Sequence, residues 1–209
     1  MEKLEDLILR CPALALCAED IRRAADILID SFSRGGTLYT VGNGGSSADA
    51  DHIVGELSKG FLKKRPLPPE QKAKLVQLGE PGRALADGLQ TGLPAVSLHS
   101  QSALLTAFLN DAEPGLVYAQ ALCALAKPGD VLLALSTSGN SENVVNAALF
   151  AKAAGVRVIA LTGSRPSKLG DLADAAVRVG AEETYLVQEL HLPVYHWLCA
   201  AVEEHFFKE

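Results

Sequence analysis

The chain has 209 residues, 48% of them hydrophobic and 21% charged, a balance that fits one large α/β domain and excludes a disordered chain. Aromatic residues make up 5%, so the core must be aliphatic, rich in Ala and Leu. A formal net charge of −6 excludes broad nucleic-acid binding, which needs a cationic face to release phosphate counterions. The one basic cluster, Lys59–Arg65, reads as a solvated loop or a helper at the edge of a phosphate site. The four cysteines, Cys11, Cys17, Cys123 and Cys199, form no CxxC pair. With no signal peptide in view they read as thiols of a reducing compartment, and the expected location is cytoplasmic. No apolar run approaches the length needed to cross a bilayer, so no membrane partner is expected.

Apolar residues at helical spacing run from Leu4 to about Arg34, with Pro12 dividing a short lead-in from a longer helix and Gly35-Gly36 stopping it. Thr37–Val41 is a compact strand. It leads into GNGGSSADADHIVGEL, where Gly42, Gly44 and Gly45 turn the chain and Ser46 or Ser47 caps a helix to about Lys59. The stretch from about 62 to 91 holds Pro66, Pro68, Pro69 and Pro81 and suits no central strand. It reads as an excursion from the core, with helical pieces at Glu70–Leu78 and Gly82–Leu89. Pro94–Leu98 is a strand, and Ala103–Leu109 and Leu116–Ala126 are helices. The apolar run from Val131 is a buried strand. After it come a helix ended by Gly155, a strand at Val156–Leu161, a short helix at Lys168–Ala173, a strand at Ala175–Val179 and a long closing helix at Tyr185–Phe207. Strands alternating with helices imply an α/β fold: a doubly wound parallel sheet flanked by helices, in one domain over residues 1–209.

Ligands of such sheets sit at the carboxyl ends of the strands, and two loops there carry chemistry. Ser136, Thr137, Ser138 and Ser141 place hydroxyls between a strand end and a helix start, with Gly139 free to take positive φ. A helix N-terminus offers unpaired N–H groups and partial positive charge, so this loop suits an anion, most simply a phosphate. The alternative is that Ser141 only caps the helix, but capping needs one hydroxyl.

His52 and Glu56 are four apart and share a helix face. Together they can bind zinc or move protons, unless they form a solvated pair on an exposed helix. Gln188 and His196, eight apart, lie roughly 80° around an ideal helix axis and project from one broad side. His191 is a rival to His196 on that helix, whereas His99 and His205 fit no such pattern.

The motifs GNGGSSADADHIVGEL and STSGNSENV together resemble a sugar isomerase (SIS) domain of the flavodoxin-like or Rossmann-like sandwich type. The first, with His52, Glu56, Gln188 and His196, is similar more narrowly to the phosphoheptose isomerases. That resemblance implies an aldose–ketose isomerase converting sedoheptulose 7-phosphate to glycero-manno-heptose 7-phosphate through an enediol, in nucleotide-activated heptose biosynthesis. It implies Glu56 as base and His196 as acid, and one zinc ion held by His52, Glu56, Gln188 and His196. It further implies substrate contacts from Asn43, Gly44, Gly45, Ser46, Glu56, Asn110, Asp111, Gln188 and the serine loop. The family pattern favours His196 over His191.

Some features depart from that pattern. The 62–91 excursion is long, His99–Ser102 lacks an acidic, threonine-rich version, and Tyr185-Leu186 precede the glutamine. Pro193 should delete the bond to the Glu189 carbonyl and bend the closing helix. A non-catalytic phosphosugar-binding module or a replication-initiator adaptor is the alternative, and it predicts loss of the acid and base residues. Apolar stripes on the terminal helices imply self-association, and the family implies a homotetramer with sites shared between subunits.

Overall fold

A computed structural model describes residues 2–207. In chain order the elements are α1 (Leu4–Arg10), α2 (Ala18–Ser33), β1 (Leu38–Val41), α3 (Gly45–Ser58), α4 (Pro69–Val76) and α5 (Glu80–Gly88). Then follow β2 (Ala95–Ser97), α6 (Ser102–Asp111), α7 (Val117–Leu125), β3 (Val131–Leu135) and α8 (Glu142–Ala153). The chain closes with β4 (Arg157–Thr162), α9 (Lys168–Leu172), β5 (Ala175–Arg178) and α10 (Thr184–Phe206).

The strands form one parallel sheet in the order β2-β1-β3-β4-β5. All of β3 is buried because both faces of the sheet are covered, as its unbroken apolar run requires. Alternation along β3 divides the core. Val131, Leu133 and Leu135 pack with α1, α2, α3 and α10, while Leu132 and Ala134 pack with α7, α8 and α9. In this strand order the direction of winding reverses between β1 and β3, the place where such sheets receive ligands. The glycine loop leaves β1 and the serine loop leaves β3, so the two lie side by side at that point.

The expected strands and helices are present, with shifted ends. Pro12 opens a 3-10 turn over Pro12–Cys17 between α1 and α2. Gly44, and neither Ser46 nor Ser47, occupies the position before α3. Ser46 is already inside the helix and buried, its N–H bonded to the Asn43 carbonyl at 3.1 Å. α10 runs without interruption through Pro193.

The loop after α3 is tied to α10 by a buried ion pair. Arg65 Nε lies 2.8 Å from Glu203 Oε1, with the two side chains 0% and 1% exposed. Glu203 also accepts the N–H groups of Phe61, Leu62 and Lys63 at 2.7–3.1 Å. Arg65 donates to the Leu57 and Glu56 carbonyls at the end of α3. Burial alone would raise the Glu203 carboxyl, but the Phe61 and Leu62 N–H groups and the Arg65 guanidinium hold it below its ordinary value. Beyond this anchor, α4 and α5 pack on each other as a short helical hairpin.

Candidate active site

Helix α3 starts directly at the end of the glycine loop and carries Asp49, His52 and Glu56 at helical spacing, so these side chains share one face. α10 crosses that face and presents Gln188, Tyr195 and His196. His52 Nε2 stands 3.1 Å from Glu56 Oε1, and Lys59 Nζ stands 3.4 Å from Glu56 Oε2. The His196 ring lies edge-on to that of His52, with centroids 5.0 Å apart, and Phe61 covers it at 5.7 Å. A small pocket of about 170 Å³, lined by Phe61, Arg10 and Trp197 among others, opens on His196. Burial and the nearby His52 hold His196 below its ordinary pKa, against the pull of Glu56.

Two further residues complete this cluster. The Tyr195 hydroxyl donates to Asp49 Oδ1 at 3.1 Å and also meets His52 Nδ1 at 3.1 Å. Asp49 is raised by burial, with the Tyr195 hydrogen bond opposing. Gln188 reaches the glycine loop, where a Cβ on Gly45 would come within 2.6 Å of its Nε2. Glycine at 45 is thus a condition of Gln188 standing there. His191 is fully buried away from solvent, and burial drives it down to about 4. It packs in the core, while His196 faces His52.

The serine loop is a compact hydroxyl site. Ser136 Oγ and Ser141 Oγ are 3.1 Å apart, and the Gly139 N–H donates to Ser136 Oγ at 3.1 Å. Gly139 takes φ +64°, which lets the loop fold back on the strand end. Ser141 precedes α8 without any side-chain capping bond, its hydroxyl pairing with Ser136 Oγ instead. Thr137 and Ser138 line a neighbouring depression of about 190 Å³ with Asn140 and Arg165.

Asn43 joins the two loops. Its amide and that of Asn143 bind reciprocally, at 2.9 and 3.1 Å. Tyr118 donates to Asn43 Oδ1 at 3.2 Å. A cleft of about 420 Å³ opens above them, lined by Asn43, Tyr118, Ser141 and Asn143 and, from α6, Leu105 and Leu109. Its volume suits a small ligand. Asn110 and Asp111 are exposed in the last turn of α6 and bond to each other at 2.8 Å. Among the described residues, no side-chain hydrogen bond joins them to the other residues of the site. Asp49, Tyr195 and Asn143 were not anticipated. Asp49 had a signal in its spacing to His52, whereas Tyr195 and Asn143 read as ordinary helix residues.

For a metal, the donor types fit: two imidazoles, a carboxylate and an amide oxygen, with His196 Nε2 buried and lacking a hydrogen-bond partner. Among the described residues, no three His, Cys, Asp or Glu side chains converge as a finished metal site.

The SIS domain family matches residues 10–75 and 83–163. The gap falls between the bodies of α4 and α5. A probable phosphoheptose isomerase of Thermoplasma acidophilum is 36% identical over 193 residues, 92% of each chain. Phosphoheptose isomerase of Rhodospirillum rubrum is 36% identical over 188 residues, 90% of this chain and 87% of that one. Among solved structures, phosphoheptose isomerase from Neisseria gonorrhoeae superposes with a TM-score of 0.75 at 28% identity, covering 96% of this chain and 94% of the other. That from Francisella tularensis gives 0.76 at 26% identity, with the same coverage. The fold, the paired ligand loops and these likenesses agree: the chain belongs to the phosphoheptose isomerases of the SIS domain family.

Proposed function

We propose that the protein is an aldose–ketose isomerase interconverting sedoheptulose 7-phosphate and D-glycero-D-manno-heptose 7-phosphate, as a step toward nucleotide-activated heptose. The observation that carries this reading is the gathering of Glu56, His52 and His196 on and against the helix that follows the glycine loop, in a chain that matches named phosphoheptose isomerases over nearly its whole length. The adaptor alternative expects the residues assigned as acid and base to be lost, and this chain carries both Glu56 and His196.

The chemistry follows from the positions. Ser136, Thr137, Ser138 and Ser141, at the start of α8, hold the phosphate, so binding energy remote from the reacting carbons fixes their orientation. Asn43, Gly44 and Gly45 form the opposite wall, with Ser46 buried behind them and Gln188 reaching over Gly45, and Ser46, Asn110 and Asp111 are assigned to the substrate by resemblance. Glu56 removes a proton from the carbon next to the carbonyl. His196 delivers a proton to the carbonyl oxygen, giving an enediol, and the two steps reverse at the adjacent carbon. A divalent ion, zinc by resemblance, held by His52, Glu56, Gln188 and His196 would polarise the carbonyl oxygen.

We assign the working form to a homotetramer of the cytoplasm. Free cysteines suit a reducing compartment. Leu9 and Leu16, 79% and 92% exposed on the N-terminal segment, suit contact with another copy. No helix among the described residues is long and apolar enough to cross a membrane. The test is incubation of purified protein with sedoheptulose 7-phosphate, with and without zinc, followed by NMR. An aldoheptose 7-phosphate is expected, and unchanged ketose with folded, metal-supplied protein would remove the substrate assignment.

A further inference from the structure

Tyr195 is 1% exposed, and its hydroxyl stands between two side chains of α3. Asp49 Oδ1 and His52 Nδ1 each lie 3.1 Å from it. A phenol has one proton, and a carboxylate can only accept. That proton therefore goes to Asp49, and the phenol oxygen can bind His52 only by accepting the Nδ1 proton. We propose that Tyr195, held by Asp49, is a positioning residue that fixes the His52 ring with a proton on Nδ1 and turns Nε2 toward Glu56.

In the neutral ring Nε2 then carries the lone pair, and it faces Glu56 Oε1 at 3.1 Å. Two acceptors at that distance attract only through a positive charge shared between them, a proton or a divalent ion. The relay from Asp49 through Tyr195 to His52 thus prepares a place for one such charge at the carboxylate assigned as base. Outer partners of this kind set the tautomer and raise the basicity of a ligating imidazole. The inference deepens the isomerase reading and rests on it for its catalytic meaning. The ring state itself is independent of turnover.

The test uses the full chain with ¹⁵N-labelled histidine, metal-free, at a pH where the His52 ring is neutral. NMR is expected to place an unprotonated nitrogen at Nε2 of His52. Tyr195→Phe should release that preference and populate Nε2–H. It should also weaken zinc binding, measured by chelator competition, by about 10- to 100-fold. Asp49→Asn keeps the phenol but offers it an N–H donor, so the tyrosine proton can turn to His52 Nδ1 and invert the tautomer. That variant decides the matter if Tyr195→Phe does not fold. A wild-type ring protonated on Nε2 would overturn the proposal, as would folded variants with unaltered nitrogen signals and zinc affinity. The expected His52 pattern in a protein without isomerase activity would support the relay and remove the isomerase reading.

Discussion

Asn43 and Asn143 lie 100 residues apart, yet their side-chain amides bind each other reciprocally and lock the glycine loop of β1 to the first turn of α8. On the proposed reading, the wall that faces the reacting end of the substrate is thereby set against the loop assigned to its phosphate. A relative displacement of these loops would separate phosphate binding from proton transfer, and geometry of this kind can govern rate. Asn143→Ala is expected to lower kcat/KM by about 10-fold, through loss of one net hydrogen bond and misplacement of Asn43. Asn43→Ala combined with Asn143→Ala should cost less than the sum of the single changes. Steady-state kinetics on the three variants measures the coupling, and full additivity would contradict the clamp.

Ser141 offers a way to test capping apart from the proposed phosphate binding. It stands at the start of α8 but makes no capping bond, pairing instead with Ser136 Oγ at 3.1 Å. Ser141→Ala should therefore change unfolding free energy by less than about 0.5 kcal/mol, where loss of a working N-cap costs about 1 kcal/mol. The same change should weaken inorganic phosphate, used as a competitive inhibitor, by about 10-fold, on the order of one charge-assisted hydrogen bond. Chemical denaturation and inhibition constants on one sample check both halves.

The Arg65–Glu203 pair anchors the loop that carries Phe61 onto His196. Both side chains are buried, so removing the carboxylate leaves an uncompensated cation. Glu203→Ala is expected to cost about 3–5 kcal/mol. The native Glu203 carboxyl sits below its ordinary value of 4.5, so on acidification the unfolded chain takes up its proton first. The contribution is then fully present above that ordinary value and is lost as pH falls through the native one. Urea midpoints measured at neutral pH and in acid should converge in Glu203→Gln relative to the parent chain.

Much of this arrangement was legible in the sequence because it rests on local signals. The unbroken apolar run of β3 announced a strand covered on both faces, and the hydroxyl-rich segment after it announced the ligand loop. His52 and Glu56 were legible from helical spacing, and the choice of His196 over His191 came from resemblance. Burial explains that choice: His191 faces the core, and His196 faces α3. Tyr195 escaped notice because an aromatic residue in an apolar helix usually packs in the core, and its partner hydroxyl contacts come from a distant helix. Asn143 escaped because an amide at a helix start reads as local capping. Glu203, close to the end of the chain, gave no sign that Arg65 would be buried against it. The boundaries of α3 moved because Ser46 is used inside the helix rather than before it.

On the proposed reading Glu56, set on α3 against His52 and across from His196, is the base of the isomerisation. Parent protein and Glu56→Gln, both metal-supplied, would be incubated with sedoheptulose 7-phosphate and followed by NMR, with phosphate binding measured in parallel. The parent is expected to form aldoheptose 7-phosphate, while Glu56→Gln should lose at least about 100-fold in kcat, the scale of general base catalysis, and keep its phosphate affinity. Turnover by Glu56→Gln at the parent rate would contradict the assignment.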